Sequence, residues 1–141
     1  FLMLAKLYRD GVGVKKNESK AEEYFFKAAD AGISEAQYQY ALCLRKEKKY
    51  VESFKWLNVS YQKLPDGEKV NPDVLYEIAE CHAKGLGTAT DRQTAFLYYY
   101  DAAKRGHQKA KAAVAECYKK GLGVPVNKKA AGFYNPKYVE E

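Results

Sequence analysis

The stretch GLGTATDRQTAFLYYYDAAKRGHQKAKAAVAECYKKGLG, residues 85–123, decides the fold of this chain. One Gly-x-Gly begins it at Gly85, and another begins 36 residues later at Gly121. A third begins at Gly11, 74 residues before Gly85 and close to twice that period. Self-similarity at such a spacing is the signature of stacked helical repeats. The period therefore predicts a class of scaffold built from pairs of helices.

The composition is that of a folded protein, with 47% hydrophobic and 30% charged residues in 141. The net charge of +6 fits either an anionic partner or ordinary solvated lysines. The sequence has no apolar run long enough to span a membrane and no visible signal peptide. It begins inside the helical pattern FLMLAKLY and ends soon after a repeat has begun, so we expect a fragment of a longer protein.

Four alanines mark equivalent positions in four rows. They are Ala5, Ala41, Ala79 and Ala115, at spacings of 36, 38 and 36. Each lies in a helical apolar pattern, and a small residue there lets a partner helix approach closely. The whole chain, 1–141, is therefore predicted to be a single solenoid, with repeats at approximately 1–32, 35–64, 73–106 and 109–134.

Glycines and capping residues predict where the helices end and begin. Gly11, Gly85 and Gly121 suit left-handed C-caps, because glycine takes a positive φ at little cost. Asn17, Asp91 and Asn127 share one register and suit positions just ahead of the next helix. The second helices are predicted at 19–32 and 92–106, where Gly32 and Gly106 end them.

The second repeat departs from this pattern. Residues 45–50, RKEKKY, contain no Gly-x-Gly, although Ser53, Leu57 and Ser60 keep the small and large positions of the second helix. Residues 63–73 predict a longer irregular turn, after which Asn71 or Asp73 begins the third repeat. In the fourth repeat, Gly132 and Asn135-Pro136 shorten the second helix.

Residues 5–32 read A-x-L-Y-x-x-G-x-G-V-x-x-N-x-x-K-A-x-x-Y-F-x-K-A-A-x-x-G. This run resembles the Sel-one-like repeat, a relative of the tetratricopeptide repeat, and the likeness covers nearly the whole chain. The resemblance implies an all-α fold, a right-handed α-α superhelix (solenoid) of about four helix-turn-helix repeats, the second degenerate and the last truncated. It also implies adaptor or scaffold roles in signalling, complex assembly or protein quality control.

The three cysteines occupy one register position, since Cys43, Cys81 and Cys117 each follow the register alanine by two residues. Packed helices lie roughly 10 Å apart, which is too far for a disulfide or a shared metal. We therefore expect unpaired core thiols, which weakly favour a reducing compartment. Some secreted relatives carry paired cysteines and a penicillin-binding activity, and the lack of pairing here disfavours that role.

No catalytic constellation is visible. His82 aligns with Tyr8 and Tyr118 and is expected to pack, whereas His107 in a connecting turn is expected to be solvated. Neither histidine has a metal-ligand neighbour at helical spacing. Each Gly-x-Gly follows a helix and not a strand, which argues against a phosphate cradle. We expect no enzyme activity, metal or small-molecule cofactor.

In tetratricopeptide-like stacks the first helix of each repeat lines the concave face. By this resemblance, the residues expected on that face stand at positions −6, −3, +1, +4 and +5, counted from the register alanine. The candidate partner-binding residues at these positions are Arg9, Tyr38, Arg45, Lys46, Tyr76, Glu80, Lys84, Lys109, Glu116, Lys119 and Lys120. Other residues on the same face are Lys6, Asp10, Glu35, Leu42, Asp73, Ala83 and Ala112.

The cations of this set have two explanations. They form a ladder beside Tyr38 and Tyr76 that suits an acidic peptide. Cations in the last turn of a helix also simply favour the helix dipole. We therefore expect a module that binds another protein or peptide, possibly an acidic one. The alternatives are a basic helical nucleic-acid binder, which Glu80 and Glu116 disfavour by interrupting the ladder, and an enzyme.

Overall fold

A computed structural model describes residues 1–62 and 71–138 of the chain. Over these residues it contains eight α-helices and a 3-10 helix, with no strand. The helices are α1 (Leu2–Asp10), α2 (Glu18–Asp30), α3 (Ser34–Lys46), α4 (Tyr50–Gln62), α5 (Pro72–Lys84), α6 (Arg92–Lys104), α7 (Gln108–Lys120) and α8 (Lys128–Tyr134), followed by the 3-10 helix Pro136–Tyr138. The predicted all-α class is confirmed. The turn predicted over 63–73 lies mostly outside the described residues.

The helices group into two compact units. Unit 1 is Phe1–Lys69 and contains α1–α4, and unit 2 is Val70–Glu141 and contains α5–α8. Within each unit every helix packs against the next one along the chain. The short connections make successive helices antiparallel, so each unit holds two helix pairs. The first helices of the pairs are α1, α3, α5 and α7.

The four register alanines lie at the helix contacts. Ala5, Ala41, Ala79 and Ala115 are each 0% exposed, as the repeat alignment predicts. On the second helices, the equivalent positions Ala21, Ala28, Ala95 and Ala102 are also buried. Small side chains on both facing surfaces bring the two backbones of a pair close together.

The degenerate second repeat keeps the same core with serine in place of alanine. Ser53, Leu57 and Ser60 are buried at the predicted positions of α4. The Ser53 hydroxyl donates to the carbonyl of Ala41 at 2.7 Å, and the Ser60 hydroxyl donates to that of Ser34 at 2.9 Å. Because a buried hydroxyl is costly only when it lacks a partner, these bonds make serine acceptable at a helix contact.

The predicted caps are confirmed at both ends of the loops. Gly11, Gly85 and Gly121 have φ angles of 70°, 70° and 72°, and their N–H groups donate back to the preceding helix. The side chains of Asn17, Asp91 and Asn127 accept from the backbone N–H three residues ahead. Asn71 caps α5 by accepting from the N–H of Asp73, two residues ahead, and Pro72 is the first residue of the helix, so the third repeat begins here.

Gly132 does not end the last helix, contrary to one part of the expectation. Helix α8 runs through it to Tyr134, and Asn135 follows in extended conformation. Pro136 imposes this ending, because proline disfavours helical geometry in the residue before it. The shortened fourth repeat is thus explained by Asn135-Pro136 alone.

Lys48 takes the place of the missing loop glycine in the second repeat. It has a φ of 64°, the one positive value among the described non-glycine residues. Its N–H donates to the carbonyl of Arg45, and the N–H of Lys49 donates to that of Leu44. A left-handed conformation costs a residue with a Cβ about 1–2 kcal/mol.

Replacing Lys48 with glycine should therefore stabilise the protein. We expect Lys48→Gly to raise the free energy of unfolding by about 0.5–1 kcal/mol, because the strain removed exceeds the entropy that glycine adds to the unfolded chain. Urea unfolding followed by circular dichroism measures this change. Lys55→Gly is the control and should destabilise by about 1 kcal/mol, since Lys55 is an exposed residue inside α4 and has no positive φ. Equal effects of the two substitutions would contradict the assignment of strain to Lys48.

A second test compares two glycines with nearly the same backbone. Gly13 and Gly123 have φ angles of 74° and 77°. A Cβ at Gly13 would meet nothing within 4 Å, whereas one at Gly123 would collide with the backbone carbonyl of Arg92. Gly13→Ala should cost about 1–2 kcal/mol of conformational strain. Gly123→Ala should cost at least about 1 kcal/mol more, because rigid backbone must also move. Equal losses in urea unfolding would show that α6 does not constrain this loop.

Candidate functional site

Each unit contains a cleft at the same place in its repeats. In both, the end of one first helix, the start of the following second helix and the end of the next first helix form the walls. The unit-1 cleft, of about 470 Å³, is lined by Arg9, Glu18, Ser19, Ala21, Glu22, Phe25, Gln39, Leu42, Cys43, Lys46 and Glu47. The unit-2 cleft, of about 220 Å³, is lined by Ala83, Arg92, Ala95, Tyr99, Ala113, Glu116, Cys117 and Leu122.

The two clefts are built from equivalent positions. Superposing the repeats pairs Arg9 with Ala83 and Phe25 with Tyr99. It also pairs Ala21 with Ala95, Gln39 with Ala113, Leu42 with Glu116 and Cys43 with Cys117. The small residue at the start of the second helix leaves the floor open in both cases. A cleft at this place is therefore a property of the helix pair, and its side chains differ from unit to unit.

Some of the predicted face residues line these clefts and others do not. Arg9, Leu42 and Lys46 line the unit-1 cleft, and Ala83 and Glu116 line the unit-2 cleft. All five lie at the predicted positions +1, +4 and +5. The candidates that line neither cleft are Tyr38, Arg45, Tyr76, Glu80, Lys84, Lys109, Lys119 and Lys120. Their role in partner binding stays a prediction.

Sequence reasoning missed positions −2 and +2 of the first helix and the whole contribution of the second helix. Gln39 and Ala113 stand at −2, and Cys43 and Cys117 stand at +2. The second helices add Phe25 and Tyr99 as aromatic floors. The cysteine that recurs at position +2 was the sequence signal for this part of the lining, because a small residue kept at one repeat position can mark a surface that another group approaches.

The charged residues of the unit-1 cleft are largely paired with each other. Arg9 Nε lies 3.0 Å from Asp10 Oδ1, and Arg9 Nη1 donates to Gln39 Oε1 at 3.2 Å. The guanidinium also lies 5.7 Å from the centre of the Phe25 ring. Lys46 Nζ lies 3.2 Å from Glu18 Oε1. These pairs are exposed and contribute little stability, but they neutralise both cations of the cleft.

Two carboxyl groups in the same cleft face each other. Glu22 and Glu47 both line the cleft. Burial first, and then the neighbouring Glu47 side chain, raises the pKa of Glu22 above its ordinary value. Lys49 Nζ lies 3.9 Å from Glu47 Oε2, at the limit of an ion pair. The pair therefore shares a proton more readily than an isolated surface carboxylate would.

In unit 2 the predicted face carries a hydrogen-bonded cluster centred on Glu80. The Tyr99 hydroxyl donates to Glu80 Oε1 at 2.6 Å, and Lys84 Nζ lies 2.6 Å from Glu80 Oε2. Burial opposes the negative charge of Glu80, whose side chain is 13% exposed, but the hydrogen bonds from Lys84 and Tyr99 outweigh it and lower its pKa. The same burial and the bond to Glu80 raise the pKa of Tyr99.

The predicted cation ladder consists largely of intramolecular ion pairs. Besides Arg9 and Lys46, Lys84 pairs with Glu80 and Lys120 pairs with Glu116 at 3.0 Å. Both of these pairs are four residues apart on one helix. Such spacing places the two side chains next to each other on the helix surface. The acidic residues that interrupt the ladder in the sequence are the partners of its cations.

Comparison with known proteins identifies the architecture. The Sel1 repeat model matches residues 2–33, 34–61, 72–107 and 108–134. The chain belongs to the Sel1 repeat family. Proteins with Sel1 repeats are generally protein-interaction scaffolds and typically non-catalytic. The solenoid of helix pairs implied by the sequence resemblance is thereby confirmed.

Two solved structures share the Sel1 fold with a TM-score of 0.83 each. One is a Sel1 repeat protein from Oxalobacter formigenes, 23% identical, with the alignment covering 97% of this chain and 56% of that one. The other is c5321, a protective antigen of uropathogenic Escherichia coli with an SLR fold, 26% identical over 97% of this chain and 29% of that one. The likeness shows the fold, and the chain spans about half or less of either protein. None of the curated proteins matches this sequence.

His82 packs as the Sel1 register predicts. Its ring stacks on Tyr98 at 5.9 Å with an interplanar angle of 13°. The equivalent pairs Tyr8–Tyr24 and Tyr118–Tyr134 stack at 5.7 and 6.1 Å. Burial lowers the pKa of His82, which favours the neutral ring that stacking uses.

His107 is not solvated, and the expectation is wrong at this residue. Its side chain is 11% exposed and its Nε2 lies 3.0 Å from Asp73 Oδ1. Nδ1 accepts from the N–H of Ala110 at 3.0 Å and so caps α7, while the ring stacks on Tyr76 at 4.6 Å. Both ring nitrogens are thus occupied, which leaves no lone pair for a general base. The sequence hid this role because histidine is an uncommon N-cap.

Cys43 is also a correction, since it is half-buried and not a full core residue. It lines the unit-1 cleft, where burial, followed by the charges of Glu22 and Glu47, raises its pKa to about 11. Cys81 and Cys117 are buried as predicted. Over residues 1–62 and 71–138, no three His, Cys, Asp or Glu side chains are grouped to hold a metal ion. Across the same residues, no helix combines the length and apolar character needed to cross a bilayer.

Thiol labelling separates the two kinds of cysteine. In the native protein we expect one thiol, Cys43, to react slowly, at a rate that rises about tenfold per pH unit because its pKa lies far above neutral pH. Cys81 and Cys117 should react only after unfolding. A disulfide reagent that releases a coloured thiol measures the count and the rate. The variant Cys43→Ala should show no native reaction, and any fast native labelling of that variant would contradict the burial of the other two.

Proposed function

We propose that this chain is a protein-interaction module that binds a partner protein through a cleft in each unit, where the first helices of that unit end. The observation that carries the proposal is the recurrence of a cleft at equivalent positions in both units. A recess of the same construction in each unit gives each unit one contact point for a partner side chain.

The size and chemistry of the clefts support side-chain anchoring. The unit-2 cleft, at about 220 Å³, is smaller than the roughly 300–1,000 Å³ of pockets that hold drug-sized ligands. Its apolar lining residues Ala83, Ala95, Ala113 and Leu122 suit one aliphatic side chain of a partner. Arg92 and Glu116 add polar groups to the same lining. Apolar anchors in small pockets with a polar surround are the usual source of binding energy in protein recognition.

The ion pairs argue against nucleic acid as the main ligand. Protein cations that contact phosphates release the counterions condensed on the nucleic acid, and this release drives the binding. Arg9, Lys46, Lys84 and Lys120 already face a carboxylate each. An acidic peptide would have to displace the same carboxylates. The proposed partner therefore binds through apolar anchors first, and a net negative charge is not required of it.

The experiment is a selection of random dodecapeptides displayed on phage against the immobilised chain. Binding of the selected peptides is then measured by fluorescence anisotropy with two matched variants on α7. Ala113→Leu fills the unit-2 cleft, whereas Ala112→Leu adds the same side chain at an exposed position that does not line it. Both keep helix propensity nearly constant.

Ala113→Leu should weaken peptides anchored in the unit-2 cleft about tenfold or more, the effect of losing one buried apolar contact. Ala112→Leu should leave their affinity within about twofold. The two variants could affect the affinity of every selected peptide equally, and substitutions in the unit-1 cleft could leave it unchanged. That result would show that the peptides bind elsewhere on the chain. A selection that returns no binding peptide would overturn the proposed function as a whole.

A further inference from the structure

The unit-1 cleft combines an apolar floor with an unbalanced acidic wall. Ala21, Phe25 and Leu42 line its floor. Both of its cations face a carboxylate, Arg9 that of Asp10 and Lys46 that of Glu18. Glu22 and Glu47 complete the acidic lining, and Glu47 Oε2 lies 3.9 Å from Lys49 Nζ. The cleft therefore holds two carboxyl groups that repel each other when both are ionised.

The fold does not require this acidic wall. The unit-2 positions equivalent to Glu18, Glu22 and Glu47 are Arg92, Phe96 and Gly121. Of these three residues, Arg92 lines the unit-2 cleft, which is built on the equivalent helices α5, α6 and α7. Since the packing tolerates these replacements, the carboxyl groups of unit 1 are not needed to hold the repeat together.

We propose that the unit-1 cleft binds a lysine or arginine side chain of the partner segment, with its aliphatic stem on Leu42 and Phe25 and its charged end between Glu22 and Glu47. This inference rests on the proposed function and names the chemistry of one of its two sites. The volume of about 470 Å³ accommodates a long side chain together with part of its backbone. Long basic side chains pack their methylene stems on apolar surface in this way.

Charge complementarity carries the assignment. A cation between two facing carboxylates replaces the proton that they otherwise share and removes their repulsion. The hydrogen bonds formed are charge-assisted and so stronger than those between neutral groups. Lys49 Nζ lies 3.9 Å from Glu47 Oε2, a long and half-exposed ion pair. Such an exposed pair contributes little stability, so a cation from another molecule can compete with Lys49 for this position.

Binding at this site is linked to protons. The titratable and charged groups around the pair come from every surrounding element, namely Arg9 of α1, Glu18 of α2, Tyr40, Cys43 and Lys46 of α3, and Lys49 of the following loop. Cys43 is protonated at neutral pH and adds no charge. A cation needs Glu22 ionised, so affinity is full above the raised pKa of Glu22 and falls as the pH is lowered through it.

The test uses the peptides obtained from the phage selection. Each lysine or arginine in a selected peptide is replaced in turn by norleucine or citrulline, which keep the length and remove the charge. Each peptide is then measured against Glu22→Gln/Glu47→Gln, which removes the acidic wall. The matched control Glu23→Gln/Glu52→Gln changes the net charge of unit 1 by the same amount at exposed positions outside the cleft.

We expect one basic residue in the selected peptides to matter, with a loss of about tenfold or more when its charge is removed or when the cleft variant is used. The control variant should change affinity less than about twofold, and the pH dependence should disappear in the cleft variant. Peptides that bind but tolerate replacement of every basic residue, or bind the cleft variant normally, would overturn this inference. If Ala113→Leu still weakens the binding of these peptides, the proposed function is retained and only the inference about the unit-1 cleft is rejected.

Discussion

The structure depends on the close contact between the two helices of each pair. Four alanines in one register, each without exposed surface, let the first helix of a pair lie against the second with little side-chain volume between them. The contact tolerates polar substitution where the polar group finds a backbone acceptor, as Ser53 and Ser60 do. It does not tolerate bulk, because a larger side chain would push the pair apart and disturb the stacking of the next one.

The same contact creates the clefts. Where the second helix begins, alanine leaves a recess that the ends of two first helices enclose, and this happens once in each unit. The frame is set by the caps and helix contacts, to which buried lining residues such as Ala21 and Phe25 belong, whereas the more exposed lining residues differ between the units. Phe25 and Tyr99 occupy one position but interact differently: the first lies under Arg9, and the second bonds Glu80. Repeats of one fold can therefore present different chemistry at equivalent positions.

Paired charges explain how a chain of net charge +6 can present a face with few uncommitted cations. The lysines at the ends of α5 and α7 each have a glutamate one turn earlier. Simple counting of basic residues along the face overstates its positive potential, because each pair acts nearly as a dipole. Glu22 and Glu47 differ from these pairs, since the cation beside them, Lys49, lies 3.9 Å from Glu47 and follows α3 on the loop.

The sequence by itself determined the helix pairs, their borders and the buried register, because these depend on local capping chemistry and on a periodic pattern. Gly11, Asn17 and Ala5 could be assigned from their neighbours in the chain alone. The tertiary structure decided what faces the clefts, how His107 is held and why Cys43 is half exposed. These features bring together side chains from different elements, such as Glu22 of α2 and Glu47 after α3. Whether such side chains meet depends on helix rotation and packing distance, which no local sequence pattern encodes.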